Sequence, residues 1–160
     1  MIMDYIIQEI QALQQIVTGK QKEYYTELLR NIKPVKVSPL KDVFTEEEIS
    51  RIKQINIRQK ECYRNSHLLT ALFPGRVIYV EGRVLPENLF PIDHVFNRVG
   101  DVYVDVTFEI ALGLNVTQQQ YASIAEYDLH TLSRITSATG YWGDCYKYEW
   151  IRKHTSNGKH

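Results

Sequence analysis

The chain has 160 residues and 44% hydrophobic content, which suits one globular domain with an apolar core of its own. Its 19 basic and 19 acidic residues cancel, so charge gives no support for a nucleic acid or an anionic membrane as partner. No apolar run approaches the ~18 residues of a membrane span, and the first stretch carries Asp4 and Glu9 without a cleavage pattern, so we expect neither a membrane protein nor a secretory signal.

The first 33 residues predict a helical hairpin. Apolar residues recur at close to the helical period over residues 2–17, and Thr18-Gly19 ends the pattern. A second helical stretch covers about residues 22–32 and stops before Pro34. We expect this hairpin, residues 1–33, to pack on the core. A dimerisation face that makes a homo-oligomer is the alternative use of such an apolar stripe.

A connector and a third helix lead into the core region, which we predict over residues 44–155. Residues 34–43 contain two prolines and predict extended chain. Thr45 and Glu48 have the spacing of a capping box, so a helix is expected to begin at Thr45 and to run to about Ile57.

Cys62 opens the next predicted helix. Leu68, Leu69 and Leu72 follow at helical spacing, and Pro74-Gly75 ends the pattern. A thiol in the first turn lies at the positive end of the helix macrodipole, which favours the thiolate. Two cysteines are too few for a disulfide framework, so we expect a reducing, cytoplasmic setting with free thiols.

Three strands are predicted after this helix. Residues 76–81 are rich in β-branched and aromatic side chains, and Gly82 marks a break or a bulge. Residues 92–98 and 102–107 have the same composition and flank the turn signal Gly100-Asp101. The two last strands therefore form a hairpin.

The hairpin brings a histidine close to an aspartate. A two-residue turn pairs Val99 with Val102 and Phe96 with Asp105. His94 and Asp105 are then diagonal neighbours on one face, roughly 7–8 Å apart. A slip of one residue would separate them, so the inference depends on the turn.

Cys62, His94 and Asp105 have the order and the chemistry of an activated-thiol site. The histidine takes the proton of the thiol, the aspartate orients the histidine, and the thiolate attacks an acyl carbon. The resulting thioester is resolved by water or by an amine. Each of the three residues taken alone also has a structural interpretation: Cys62 as a small buried residue, His94 as a hydrogen-bonded core histidine and Asp105 as a surface acid near a turn.

This order on these elements resembles the papain-like superfamily in its transglutaminase-like branch, over roughly residues 56–110. The resemblance implies an α+β fold in which N-terminal helices and a central helix carrying Cys62 pack on an antiparallel sheet carrying His94 and Asp105. It implies a cysteine-dependent hydrolase or acyltransferase, whether peptidase, deamidase or transglutaminase-like. Its substrate would be a protein or a small acyl or amide compound.

The superfamily also uses an oxyanion donor, either the backbone N–H of the cysteine or a side chain just upstream. Gln59 and Asn56 are the side-chain candidates. Papain-type enzymes carry glutamine where this chain has Asn56, and Tyr63 stands where they have tryptophan, so a papain-family peptidase proper is not expected. Glu81 is expected near the site, with a salt bridge to Arg83 or Arg98 as the alternative; Trp142 can wall a cleft or cap a core edge.

The C-terminal part of the chain predicts less. Residues 117–125 favour a short helix. Residues 127–135 fit a strand and a helix equally, residues 140–145 are loop-like, and residues 146–153 form a final helix or strand.

Two further classes compete with the thiol enzyme. Cys62, His67, His94 and Asp105 include zinc-compatible ligands, but no CxxC or HxxxH spacing supports a site, so we expect neither metal nor cofactor. The second class is a non-enzymatic binding or regulatory module on the same fold. A cleft closed by Trp142 or by the N-terminal helices favours that module.

Overall fold

The computed structural model describes residues 3–87, 89–140 and 143–155, which form six α-helices and five strands. The helices are α1 (Met3–Ile16), α2 (Gly19–Asn31), α3 (Glu46–Gln54), α4 (Cys62–Leu72), α5 (Leu129–Thr139) and α6 (Cys145–Thr155). The strands are β1 (Lys33–Val35), β2 (Val77–Leu85), β3 (Ile92–Val99), β4 (Val102–Val104) and β5 (Gln120–Tyr127). None of the helices in these ranges is long and apolar enough to cross a membrane.

The predicted N-terminal hairpin is confirmed as α1 and α2. Ile6 and Ile10 of α1 and Leu28 of α2 are buried together with Ala122 of β5. Burying this apolar stripe on the sheet stabilises the hairpin, as expected for an amphipathic helix pair. The homo-oligomer through these helices stays a prediction.

The strands form one antiparallel sheet in the order β1-β5-β2-β3-β4. Its two edges approach each other, because Val37, which follows β1, bridges to Tyr103 of β4, and the Ser38 N–H donates to the Tyr103 carbonyl at 2.8 Å. The sheet therefore curls. Its concave side is filled by a buried cluster that includes Val80, Phe96 and Tyr121. The α+β class and the antiparallel sheet are confirmed.

The hairpin register predicted from the turn is confirmed. Val99 pairs with Val102 around Gly100, whose φ of 59° is the left-handed conformation that glycine tolerates. The last strand, however, ends at Val104 rather than at residue 107. Asp105 lies just after β4, so the prediction that it belongs to a strand was wrong.

Hydrogen bonds around Asp105 explain the early end of β4. Its carboxylate Oδ1 accepts the Phe108 N–H at 3.1 Å, and its carbonyl accepts the Glu109 N–H at 3.0 Å. These bonds start a π-helical turn over Thr107–Ala111. A capping aspartate thus turns the chain out of the sheet.

Gly82 marks a bulge, as predicted, but β2 continues past it to Leu85. The register between β2 and β5 shifts between Glu81 and Gly82. A Cβ atom at Gly82 would lie 1.9 Å from the Ala122 carbonyl oxygen, so only glycine fits this close approach of two backbones.

Two other predicted segments have different boundaries in the structure. The capping box at Thr45 and Glu48 is present, yet α3 ends at Gln54 rather than near Ile57. Residues 34–43 include the end of β1 and a 3₁₀ turn at Leu40–Asp42.

The helix predicted over residues 117–125 was wrong. The capping pattern supports only a 3₁₀ turn, Val116–Gln118, and β5 follows it. Its pairing with both β1 and β2 overrides local helix preference. Asp128 then caps α5, so residues 127–135 are mostly helical, and the final segment is the helix α6.

Candidate active site

Cys62 is the first residue of α4 and is partly exposed. The loop before it contains two left-handed residues, Asn56 at φ 59° and Lys60 at φ 62°. Asn65, fully buried one turn after Cys62, holds this loop. Its Oδ1 accepts the Arg58 N–H at 3.1 Å, and its Nδ2 donates to the Arg58 carbonyl at 2.7 Å. The start of the cysteine helix is therefore fixed by a buried amide.

Asn65 also connects the cysteine to the aspartate side of the site. Its Nδ2 donates to Thr107 Oγ1 at 3.0 Å, and Thr107 opens the turn that follows Asp105. Both groups are buried, so breaking the bond would leave polar atoms without water.

A second polar network docks α4 on β3. Asn97 of β3 donates to the Ser66 carbonyl at 3.0 Å and to Thr70 Oγ1 at 3.2 Å. Ser66 Oγ donates to the Val95 carbonyl at 3.2 Å. Val95 is next to His94 in β3, so these bonds fix the position of α4 relative to His94.

His94 and Asp105 form a buried hydrogen-bonded pair. His94 Nε2 lies 2.7 Å from Asp105 Oδ2, and the two side chains are 3% and 0% exposed. The Tyr121 hydroxyl donates to the same Asp105 oxygen at 2.7 Å. With the Phe108 N–H on Oδ1, the carboxylate has three donors, which is what a buried charge needs.

Aromatic rings hold the imidazole in place. Phe108 lies 4.5 Å from the His94 ring centroid, Phe96 is stacked at 6.2 Å, and Tyr121 lies at 6.3 Å. Since Nε2 is bonded to Asp105, Nδ1 is the nitrogen left to interact with Cys62, which lies near enough to raise the pKa of His94. The structure therefore brings the three predicted residues close together.

The pKa of His94 reflects this arrangement. Burial alone lowers it, but the charge and hydrogen bond of Asp105, assisted by Cys62, outweigh burial and raise it to about 10. The imidazolium is thus the favoured form at neutral pH. An imidazolium beside a thiol is the partner that a thiolate requires.

A small polar cavity of about 40 Å³ lies against His94. Tyr24 and Leu28 of α2 and Tyr146 of α6 wall it from outside. Since one water needs about 10–15 Å³ of such volume, the cavity has room for a few waters at most. Residues of α2 and α6 therefore lie beside the buried histidine.

Glu81 lines the same cavity and caps α6. Its Oε1 accepts the N–H groups of Cys145 at 2.9 Å and Tyr146 at 3.1 Å. Burial, followed by the neighbouring Asp144, raises the pKa of Glu81 well above its usual range.

The predicted alternative for Glu81 does not form. Arg83 pairs with Glu9 and Asp93, and Arg98 pairs with Glu126 instead.

Gln59 and Asn56, the predicted oxyanion donors, lie in the loop before Cys62. Gln59 is exposed, and its amide donates to the Ala111 carbonyl at 3.3 Å. Asn56 is exposed, and its carbonyl accepts from Arg64 at 2.9 Å. The first N–H groups of an α-helix have no intrahelical acceptor, so the start of α4 offers donors as well. Trp142 lies outside the described residues.

Sequence reasoning missed Asn65 and Tyr121. Asn65 had a signal, because it is a polar residue one turn after Cys62 on the helix face that packs inward. Tyr121 had none, because β5 reaches Asp105 only through the curl of the sheet.

Comparisons with protein-family models, with curated proteins and with solved structures found no match. Within residues 3–87, 89–140 and 143–155, no group of three or more His, Cys, Asp or Glu side chains is arranged to hold a metal ion.

Proposed function

We propose that this protein is a cysteine-dependent hydrolase or acyltransferase of the transglutaminase-like, papain-like type, acting on an amide or acyl substrate through Cys62, His94 and Asp105. The observation that supports it most is the buried 2.7 Å His94–Asp105 hydrogen bond beside a thiol at a helix start. A buried charge pair costs desolvation and needs compensation, so its place next to a cysteine favours a chemical role over a purely structural one.

At rest the Cys62 proton is on His94 Nδ1, which makes a thiolate–imidazolium pair, and in the first half-reaction the thiolate sulfur attacks the substrate carbonyl. Asp105 stabilises the imidazolium through Nε2. The carbonyl oxygen becomes an oxyanion, for which N–H groups at the start of α4 or the Gln59 or Asn56 amide are the donors. The C–N or C–O bond then breaks, the imidazolium protonates the leaving group, and a thioester remains on Cys62.

In the second half-reaction, neutral His94 takes a proton from water or from an amine, which attacks the thioester carbonyl and releases the Cys62 thiolate. Amide hydrolysis, glutamine deamidation, transamidation and acetyl transfer share this thioester. They differ in the acceptor.

The second cysteine is not a rival nucleophile. Burial, followed by the charges of Glu81 and Asp144, raises the pKa of the Cys145 thiol to about 12. Both cysteines are free. A free reactive thiol persists in a reducing compartment, so the proposed location is the cytoplasm.

The test is the pH dependence of iodoacetamide alkylation, read by intact mass. Cys62 should react at pH 6 at least tenfold faster than the thiol of a model peptide, and Cys145→Ala should react like the parent. Cys62→Ala should be inert. His94→Ala should lose the reactivity at pH 6, whereas His67→Ala, which removes a histidine elsewhere on α4, should keep it. A slow thiol at pH 6 that is indifferent to His94 would refute the proposal.

The second candidate is a non-enzymatic binding or regulatory module on the same fold. It is favoured by one observation: residues of α2 and α6 line a cavity of only about 40 Å³ beside His94, which is 3% exposed. A module of this kind would keep the Cys62–His94 pair but form no acyl-enzyme. Incubation with a p-nitrophenyl ester separates the two, since the enzyme gains the acyl mass on Cys62 and the module does not.

A further inference from the structure

Tyr121 reaches the active-site carboxylate from a distant strand. It lies in β5, at the opposite side of β2 from the histidine strand, and is 2% exposed. Its hydroxyl donates to Asp105 Oδ2 at 2.7 Å, the same oxygen that lies 2.7 Å from His94 Nε2. Burial, with Asp105 next, raises the pKa of Tyr121, so the hydroxyl keeps its proton and remains a donor.

We propose that Tyr121 is a positioning residue of the triad, which shares Asp105 Oδ2 with His94 and thereby limits how strongly Asp105 holds the imidazolium. This inference rests on the proposed function. A carboxylate oxygen that accepts a second hydrogen bond has less charge to offer the first donor. The imidazole of His94 is then able to lose its proton when the thioester must be resolved.

The two half-reactions need opposite protonation states of His94. The first needs an imidazolium to accompany the thiolate and to protonate the leaving group, which Asp105 provides. The second needs neutral imidazole as the base. Without Tyr121, Asp105 would favour the imidazolium more strongly, and the second half-reaction at neutral pH would slow.

Other charged and titratable groups face His94 besides Asp105, Tyr121 and Cys62. The cavity side presents three tyrosines and three carboxyl groups: Tyr24, Tyr63, Tyr146, Glu81, Asp93 and Asp144. Tyr121→Phe leaves all of these in place, so a change in His94 titration in that variant reports the lost hydroxyl.

The chain offers a matched control. Tyr103 belongs to the same buried cluster as Tyr121, and its hydroxyl donates to the carboxylate of Glu126 at 2.5 Å. Tyr103→Phe removes the same kind of hydrogen bond from the same core. Glu126 pairs with Arg98 rather than with a histidine.

The experiment follows His94 by NMR of the ¹⁵N-labelled imidazole over pH 6–11, together with the rate of Cys62 alkylation. Tyr121→Phe should raise the midpoint of His94 deprotonation by about half a pH unit to one unit, the range expected for one hydrogen bond to a buried carboxylate. Release of a p-nitrophenyl ester's acyl group from Cys62 at pH 7 should slow about three- to tenfold, while acylation stays close to that of the parent. Tyr103→Phe should change neither.

Each outcome decides one question. An unchanged His94 midpoint in a folded Tyr121→Phe protein overturns the role of Tyr121, even if the parent thiol is reactive. An unreactive parent thiol overturns the proposed function instead, and the NMR titration is read independently of it. If Tyr121→Phe does not fold, 3-fluorotyrosine placed at position 121 is the second variant; its more acidic hydroxyl donates a stronger bond and must lower the His94 midpoint. A rise or no change would refute the inference.

Discussion

The His94–Asp105 pair predicts a pH-dependent loss of stability when its charge is removed. Asp105→Asn keeps the size of the side chain and replaces the buried carboxylate by an amide. The pKa of His94 is about 10 in the folded chain and 6.5 in an ordinary environment. Each pKa unit is about 1.4 kcal/mol, so the pair stabilises the fold by at most about 5 kcal/mol.

The sign follows from proton binding. The folded state binds the His94 proton more tightly than the unfolded state does, so this stabilisation is complete below pH 6.5 and is lost as pH rises through about 10. Asp105→Asn should therefore cost about 3–5 kcal/mol at pH 6, the usual cost of breaking a buried pair. At pH 10 and above, where a neutral hydrogen bond is what remains to lose, the cost should fall to about 1 kcal/mol.

Urea unfolding of parent and variant at pH 6, 8 and 10, followed by circular dichroism, measures the difference. Glu126→Gln is the matched control, because Glu126 pairs with Arg98, which keeps its charge over this range. Its cost should stay constant with pH. A cost of Asp105→Asn that is equally constant would show that His94 carries no charge in the folded state, and the ion-pair reasoning would be wrong.

Three further variants test the supports of the site. Asn65→Ala removes the amide that bonds to Arg58 and Thr107, so it should lower the free energy of unfolding in urea by about 2–4 kcal/mol and slow Cys62 alkylation. Asn65→Asp keeps the Oδ1 bond to the Arg58 N–H, so it should recover part of the stability. Gly82→Ala should lower the free energy of unfolding by more than about 2 kcal/mol, because its Cβ would meet the Ala122 carbonyl at 1.9 Å. Gly19 has nothing within 4 Å of an added Cβ but a φ of +62°, so Gly19→Ala should lower the free energy of unfolding by about 1 kcal/mol. Equal losses would contradict the close-approach argument. Glu81→Gln keeps the size of the side chain and an oxygen acceptor but removes the ionisable group. Because burial and Asp144 raise the pKa of Glu81 in the fold, folding disfavours its ionised form, so the variant should be more stable than the parent, and by more at pH 8 than at pH 5. Thermal unfolding at both pH values checks the trend.

Local sequence rules predicted the parts of the site that are set by neighbours in the chain. The turn at Gly100 fixes the register of the hairpin, and the first turn of α4 fixes where Cys62 lies. The place of Asp105 was only partly predictable, because β-branched residues continue past Val104 while the capping bonds of the aspartate end the strand. The composition of residues 102–107 favours a strand over its full length, but the hydrogen bond from the Phe108 N–H to Asp105 ends the strand at Val104.

The contacts that were not predicted join residues far apart in the chain. Whether residues 120–127 form a strand depends on β1 and β2 on either side, and no pattern within the segment contains that information. Tyr121 meets Asp105 only because the sheet curls until Val37 bridges to Tyr103. The three residues of the proposed triad were therefore recognisable from the sequence, whereas the contact of Tyr121 with Asp105 was not.

The burial of His94 and its raised pKa set one requirement for the proposed reaction. In the proposed reaction a substrate carbonyl has to reach Cys62, a partly exposed residue, while His94 remains buried beside α2 and α6. Attack from the exposed side of Cys62 needs no opening of the cavity, because in the proposed thiolate–imidazolium pair the proton is already on His94. Burial keeps bulk water from the His94 imidazolium and so strengthens its pairing with Asp105.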